Sequence, residues 1–181
     1  MRILEVRRHS MRNKPNEHIS REGIALAQLI GSKTGPFNLV VTSPIHRAIE
    51  TAVAMGFAVD ETSQVLSEIS TDIINKSRWP APFDQLQRSM YQHQIIETFA
   101  NKQANSWRSI VCKINNGEKA LIVTHGLFIE FGTIASLSKI NTTEYNDPIG
   151  YCEGFRLIFE DGKFHAFEIL RVSPDNYLVN N

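Results

Sequence analysis

The chain has few cysteines, no excess of charge of either sign and no long apolar run. Its only cysteines, Cys112 and Cys152, are too few for a disulfide scaffold and lack metal-ligand spacing, so we expect buried or inert thiols. Nineteen basic and nineteen acidic residues leave a formal net charge of zero, which disfavours binding to nucleic acid or an anionic membrane. No apolar run approaches the roughly 20 residues that span a bilayer.

Length and composition bound the class of protein. The 181 residues, 42% of them apolar and 21% charged, are typical of one globular domain, which we place at residues 1–181. Met1–Arg7 is charged and strand-like, whereas a secretory signal needs an apolar stretch there. We therefore expect a cytoplasmic protein.

Patterns of buried strands alternate with helical patterns along most of the chain. Strands are predicted at Met1–Arg7, Phe37–Thr42 and Lys119–Thr124, with a brief one at Val65–Leu66. Helices are predicted after the N-cap Ser20, after Ser43 and Pro44 as N-cap and first residue, at Trp107–Ile114 and at Leu127–Leu137. Asp161 and Gly162 between two apolar runs predict a terminal hairpin.

This alternation predicts an α/β fold. We expect a three-layer α/β/α sandwich with a mainly parallel sheet and one or more antiparallel edge strands. Residues 71–105 depart from the pattern with many amides and several aromatic residues, which indicates a partly helical insertion. Its aromatic residues, from Trp79 to Phe99, could pack a core of their own or cover the leaving group of a substrate. We favour the second interpretation, a small cap.

Charged and imidazole groups follow three of the predicted strands. Arg8 and His9 follow the first strand, Arg47 lies shortly after the second, and His125 follows Thr124 directly. Ligands of such sheets bind beyond the carboxyl ends of the strands. Guanidinium groups form charge-assisted hydrogen bonds with phosphate oxygens, and neutral histidine is a nucleophile at phosphorus. The pattern therefore predicts a pocket for a tetrahedral dianion, and free N–H groups of the helix near Pro44 would add to it.

Several segments, in order, resemble one known family. Arg8-His9-Ser10 resembles the Arg-His-Gly signature of the histidine phosphatase superfamily, which contains cofactor-dependent phosphoglycerate mutases and many phosphomonoesterases. Residues 42–52 resemble its Ser-Pro-x-x-Arg-Ala-x-x-Thr-Ala segment, and residues 123–126 its late Thr-His-Gly. The helix entry Ile19-Ser20, with Gly23, is also similar. The resemblance covers residues 1 to about 135.

The resemblance implies roles for individual residues. His9 would be the nucleophile that becomes phosphorylated, and Arg8, Arg47 and His125 would hold the phosphoryl group. Glu68, within Leu66–Ile69, would be the proton donor, since the branch that ends in His-Gly usually keeps a glutamate there. No metal or cofactor is implied, and the sequence shows no cluster of carboxylates or closely spaced histidines.

The chain also departs from the family pattern. Ser10 occupies the place of a glycine, which would alter the approach of the backbone to phosphate without removing a charge. The run from Arg8 to Pro15 is closer to the Arg-His-Gly-x-Arg-x-Pro run of histidine acid phosphatases, one residue longer, so Arg12 is a further candidate phosphate ligand. That group normally ends in His-Asp, whereas His125 precedes Gly126, and the subfamily stays open.

These observations favour a metal-independent phosphohydrolase that acts on phosphomonoesters through a phosphohistidine intermediate on His9. The expected partner is a small phosphorylated metabolite or a phosphoprotein, and the expected state a monomer or homodimer. Two alternatives stay open: a catalytically silent phospho-ligand or protein-binding module on the same fold, and a protein phosphohistidine phosphatase. A phosphoglycerate mutase is less expected, because mutases of the family are typically longer.

Overall fold

A computed structural model describes residues 1–137 and 147–173. Its sheet has six strands, and helices lie on both faces. The strands are β1 (Arg2–Arg8), β2 (Leu39–Thr42), β3 (Glu61–Thr62), β4 (Lys119–Thr124), β5 (Gly154–Glu160) and β6 (Lys163–Leu170). The helices are α1 (Arg21–Gly31), α2 (His46–Ala54), α3 (Thr71–Ser77), α4 (Phe83–Gln92), α5 (Gln94–Val111) and α6 (Phe128–Ser136).

The sheet order is β3-β2-β4-β1-β5-β6. Strands β1 to β4 run parallel, and the β5–β6 hairpin adds antiparallel strands at one edge. In register, Arg8 at the end of β1 is opposite Thr124 at the end of β4. The mixed, mainly parallel sheet with helices on both faces confirms the predicted fold class.

Alternate residues of the central strands pack against different helices. On β2 and β4, Val40 and Leu121 contact a cluster that includes Ala48 and Ala52 of α2. Val41 and Ile122 face the opposite way, into the main core, where the fully buried Trp107 of α5 also lies. Helices α1 and α2 therefore cover one face, and α5 and α6 cover the other.

Several local predictions are confirmed. Ser20 is the N-cap of α1, where its hydroxyl accepts a hydrogen bond from the backbone N–H of Gly23 at 3.1 Å. Strand β4 occupies the predicted residues. Asp161 and Gly162 connect β5 and β6 with positive φ angles of 49° and 76°, the conformation that a tight hairpin turn requires.

Two local predictions are wrong. Gln64–Leu66 forms a 3₁₀ turn where a brief strand was expected, and the edge strand is the exposed pair Glu61–Thr62. Helix α2 has Ile45 as its N-cap, so Ser43 and Pro44 precede the helix. The Ser43 hydroxyl accepts from the N–H of Ile45 at 3.2 Å and also contacts His125.

The predicted cap segment, residues 71–105, contains α3, α4 and the first two thirds of α5. Helix α5 runs unbroken to Val111 and packs against β1, β4 and α6, so the helix predicted at Trp107–Ile114 is its second part. The role of residues 71–105 as a cap stays a prediction.

In the described ranges, no helix is both long enough and apolar enough to cross a bilayer.

The two cysteines differ in environment. Cys152 is buried, and desolvation raises the pKa of its thiol to about 11, which fits an inert thiol. Cys112 is exposed near the end of α5, so the expectation of burial is wrong for it.

Candidate active site

The ends of three neighbouring strands bring the predicted residues together. The N–H of His9, directly after β1, donates to the carbonyl oxygen of Thr124 at 2.8 Å. This bond places the His9 and His125 rings side by side, with their centroids 5.2 Å apart. Arg47, in the first turn of α2, reaches the same point from beyond β2.

Hydrogen bonds fix both nitrogens of the His9 ring. Nδ1 lies 2.8 Å from the carbonyl oxygen of Ser10, which can only accept, so Nδ1 carries the hydrogen. Nε2 then presents its lone pair, and the Nε–H of Arg47 donates to it at 3.1 Å. The imidazole is therefore held as the tautomer that offers Nε2 as a nucleophile.

The surroundings keep both histidines neutral. Burial, together with the neighbouring His125, Arg8 and Arg47, lowers the pKa of His9 to about 2, although the hydrogen bond to Ser10 acts in the opposite direction. Burial and the charges of Arg47, Arg8 and Arg12 lower the pKa of His125 to about 3. Nε2 of His125 lies 2.9 Å from the Ser43 hydroxyl. An unprotonated Nε2 on His9 is what attack on phosphorus requires.

Two aromatic rings hold the guanidinium group of Arg8. Its Cζ lies 4.3 Å from the ring centroid of Tyr151 and 4.8 Å from that of Trp79. Its Nη1 donates to the carbonyl oxygen of Ile149 at 2.9 Å. Stacking of this kind suits the planar guanidinium and restricts its rotation.

The loop before β5 is tied to the end of β1. The N–H of Arg8 donates to the carbonyl oxygen of Glu153 at 2.8 Å, and the N–H of Cys152 donates to that of Arg8 at 3.1 Å. Nη1 of the buried Arg7 adds a bond to the carbonyl oxygen of Cys152 at 2.9 Å. These bonds place Tyr151 beside Arg8.

A cavity of about 350 Å³ opens at this point. Four cations line it, with both histidines and a largely apolar remainder: Arg8, Arg12, Lys14, Arg47, His9, His125, Ile45, Ser67, Ile69, Ile74, Trp79, Gly126, Leu127, Phe128 and Tyr151. No acidic side chain is among these described lining residues, so the cavity suits an anion next to an apolar group. In residues 1–137 and 147–173, no three histidine, cysteine, aspartate or glutamate side chains are placed to hold a metal ion.

Arg12 and Ser10, the two departures from the family pattern, lie differently. Arg12 lines the cavity, and its Nη1 donates to the carbonyl oxygen of Asn16 at 2.9 Å. Ser10, by contrast, is fully buried. Its hydroxyl donates to the carbonyl oxygen of Gly23 at 2.7 Å, and its N–H donates to the Thr51 hydroxyl at 2.9 Å. The added side chain therefore does not enter the cavity.

Glu68 is the predicted site residue that the structure does not bring to the cavity. Its side chain is 58% exposed and pairs with Lys102 of α5, with Oε2 and Nζ 3.0 Å apart. It lines the adjacent groove with Lys102, whereas its neighbours Ser67 and Ile69 line the cavity. The expected place of Glu68 beside a leaving group is therefore not observed, because the 3₁₀ turn and the ion pair direct its carboxylate outward.

Three other residues at or next to the site could not be identified from the sequence. Tyr151 comes from a segment predicted only as loop, and Ser43 was expected to cap a helix. Glu130 is fully buried in the first turn of α6, where burial raises the pKa of its carboxyl group. Trp79 lies in the aromatic segment already singled out, but nothing in the sequence pairs it with Glu130.

Comparison with known proteins places this geometry in a family. The sequence model of the histidine phosphatase superfamily (branch 1) matches residues 5–169 of this chain. No curated protein matches the chain. The solved structure of Entamoeba histolytica phosphoserine phosphatase in complex with 3-phosphoglyceric acid is 17% identical, with a TM-score of 0.67, and the alignment covers 96% of this chain and 98% of that one.

Two further solved structures are similar. Phosphoglycerate mutase from Bacillus anthracis str. Sterne is 17% identical over 94% of this chain and 92% of its own, with a TM-score of 0.65. Mycobacterial glucosyl-3-phosphoglycerate phosphatase in complex with VO3 is 17% identical over 93% and 97%, with a TM-score of 0.61. At these identities the structures show a shared fold, and the family match extends over nearly all of the chain. The chain belongs to the histidine phosphatase superfamily, branch 1.

Proposed function

We propose that the chain is a metal-independent phosphomonoesterase in which His9 is transiently phosphorylated. The observation that carries the proposal is the contact between Nε2 of His9 and the Arg47 guanidinium at 3.1 Å, inside a cavity lined by cations. Nε2 is an unprotonated nucleophile, and the group beside it is the kind that neutralises phosphoryl oxygens. Membership of the superfamily supports phosphohydrolase activity in general.

The proposed reaction has two halves. The Nε2 lone pair of His9 attacks phosphorus, the bond from phosphorus to the ester oxygen breaks, and that oxygen leaves with the electron pair and takes a proton from water. A second water oxygen then attacks the phosphohistidine and loses a proton to the surrounding water, and the P–N electron pair returns to Nε2. The Ser10 carbonyl accepts from Nδ1–H at 2.8 Å, which stabilises the positive ring of the intermediate.

Arg8, Arg47 and His125 are the proposed ligands of the phosphoryl group, with Arg12 as a further one. Uncatalysed phosphate-monoester hydrolysis is so slow that catalysis can require more than about 20 kcal/mol of transition-state stabilisation. Preorganised cations around the phosphoryl oxygens are the largest source of such stabilisation. Here the two stacked rings and the backbone carbonyl at Arg8 hold one of those cations in place before substrate binds.

A chelator-treated assay with p-nitrophenyl phosphate tests the proposal. We expect wild-type turnover to survive excess EDTA and His9→Ala to abolish it. His165→Ala is the matched control, because His165 is an exposed histidine on β6, outside the cavity, whose Nε2 lies 2.9 Å from the carbonyl oxygen of Glu160. Brief reaction with radiolabelled substrate should leave an acid-labile, base-stable label on the wild type. Equal turnover by wild type and His9→Ala would overturn the proposal, and vanadate binding without turnover would favour the silent module.

A second candidate is the dephosphorylation of phosphohistidine on another protein. The observation that favours it is the outward position of Glu68, whose carboxylate is engaged by Lys102. An alcohol leaving group benefits from a proton donor, whereas an imidazole leaving group can take its proton from water near neutral pH. Faster turnover of a phosphohistidine peptide than of alkyl phosphates would select this candidate. A small metabolite or phosphoprotein partner, a monomeric or dimeric state and a cytoplasmic location stay predictions.

A further inference from the structure

The buried carboxyl group of Glu130 accepts hydrogen bonds from two residues that line the cavity, and it has no part in the reaction above. Oε1 of Glu130 accepts a hydrogen bond from the indole N–H of Trp79 at 3.1 Å. Oε2 accepts from the backbone N–H of Leu127 at 2.7 Å. Leu127 has a positive φ of 69°, an uncommon conformation for this residue type, so its N–H bond to Glu130 supports an otherwise strained turn. Glu130 thus contacts two residues that line the cavity, Trp79 and Leu127.

Trp79 connects this carboxylate to Arg8. The tryptophan lies between α3 and α4, outside the sheet, and one face of its ring covers the Arg8 guanidinium at 4.8 Å. Gly126, directly after His125, allows the close approach of the ring, because a Cβ at this position would overlap it. The guanidinium also lies over the Tyr151 ring, with its Cζ 4.3 Å from the ring centroid. The indole N–H is bonded to Glu130, and the Trp79 ring lines the cavity.

We propose that Glu130 is a positioning residue for anion binding: it fixes the Trp79 ring, and the ring fixes the Arg8 guanidinium. The inference rests on the proposed function, since it matters only if Arg8 binds the phosphoryl group. Arginine carries many rotamers, and an arginine that is ordered before the ligand arrives loses less conformational entropy on binding. The chain from Glu130 through Trp79 to Arg8 supplies this order.

When Glu130 is ionised, its charge acts in the opposite direction. A carboxylate close to Arg8 weakens the positive potential of the cavity, so loss of the charge alone would strengthen anion binding. Trp79→Phe separates the two effects, because it removes the hydrogen bond and keeps the Glu130 carboxyl group and an aromatic face. Glu130→Gln removes one acceptor together with the charge. A positioning role predicts weaker binding for Trp79→Phe, whereas in Glu130→Gln the loss of the charge offsets part of this effect.

Trp107→Phe is the matched control. Trp107 is the chain's other tryptophan, it is fully buried in α5, and its indole N–H has no hydrogen-bond partner within the described residues. The same substitution therefore removes an indole N–H in both variants and breaks a bond to Glu130 in only one. Trp79 is only half-buried, so Trp79→Phe tests the proposal even if Glu130→Gln does not fold.

Calorimetric titration with vanadate, together with kcat/KM for p-nitrophenyl phosphate, decides the outcome. We expect Trp107→Phe to bind vanadate within about twofold of wild type and Trp79→Phe to bind it about tenfold more weakly, because an arginine side chain that is no longer held must be ordered when the anion binds. Glu130→Gln should show a smaller loss, since removal of the charge offsets part of the effect. Wild-type-like vanadate binding by Trp79→Phe would overturn the inference alone. No vanadate binding by the wild type would instead overturn the proposed function.

Discussion

Replacement of His9 by Gln tests the neutral imidazole through protein stability. The folded state protonates His9 only near pH 2, because the ring is desolvated and neighbours His125, Arg8 and Arg47. An unfolded histidine takes up a proton at its ordinary pKa of about 6.5. Below that value the unfolded state binds more protons than the folded state, so stability falls as the pH falls.

The magnitude follows from the two pKa values. Between pH 7 and pH 5, the folded His9 stays neutral while the unfolded histidine becomes protonated. Each pH unit below the unfolded pKa costs about 1.4 kcal/mol, so His9 alone removes about 2 kcal/mol from the free energy of unfolding over this range. In His9→Gln this contribution disappears, and the stability of the variant should depend less on pH by that amount.

Urea denaturation at pH 7 and pH 5 in phosphate-free buffer measures this difference. Other titrating groups, including Glu130 with its raised pKa, contribute equally to wild type and variant and cancel. His165→Gln is the control, because it makes the same substitution at an exposed histidine on β6, outside the cavity. If wild type and His9→Gln lose the same stability on acidification, His9 takes up a proton as readily in the folded protein as in the unfolded chain, and burial does not hold the ring neutral.

Three further predictions concern residues around the cavity. Arg12→Ala should raise the inhibition constant for inorganic phosphate about tenfold, as expected for a lost hydrogen bond to a charged ligand; an unchanged constant would remove Arg12 from the phosphate ligands. Glu68→Gln should change turnover of alkyl and nitrophenyl phosphates by the same small factor, because Lys102 engages the carboxylate; a selective loss with the poorer alkyl leaving groups would identify Glu68 as the proton donor. Ser10→Gly should leave kcat/KM within about twofold and lower the free energy of unfolding by about 1 kcal/mol for the lost bond to Gly23, measured by urea denaturation; a large kinetic change would mean that the serine shapes the cavity.

The sequence predicted elements whose signals are local. Strand β4 is a continuous apolar run, Ser20 is followed by a helical pattern, and Asp161-Gly162 separates two apolar runs. Each signal depends on neighbouring residues alone, and each element lies where it was expected. Arg8, His9, Arg47 and His125 were predicted to meet because parallel strands align their carboxyl ends, and the register of β1 and β4 brings the two histidines together.

Elements that depend on distant partners could not be predicted in this way. Strand β3 consists of two residues, Glu61 and Thr62, which are both exposed. Its backbone pairing with β2 is what defines it as a strand. The outward position of Glu68 depends on Lys102, which lies 34 residues away on α5. The contact between Trp79 and Glu130 joins residues 51 positions apart. No periodicity or turn signal records such pairings, because tertiary packing determines them.

The position of β1 between β4 and β5 also determines when the cavity can form during synthesis. His9 is synthesised long before its partners, because both strands that flank β1, β4 and β5, come much later in the sequence. Tyr151, which covers Arg8, emerges later than either histidine. The ribosome must therefore synthesise β1, β4 and the loop before β5 before the residues that line the cavity can meet, and these long-range contacts slow folding.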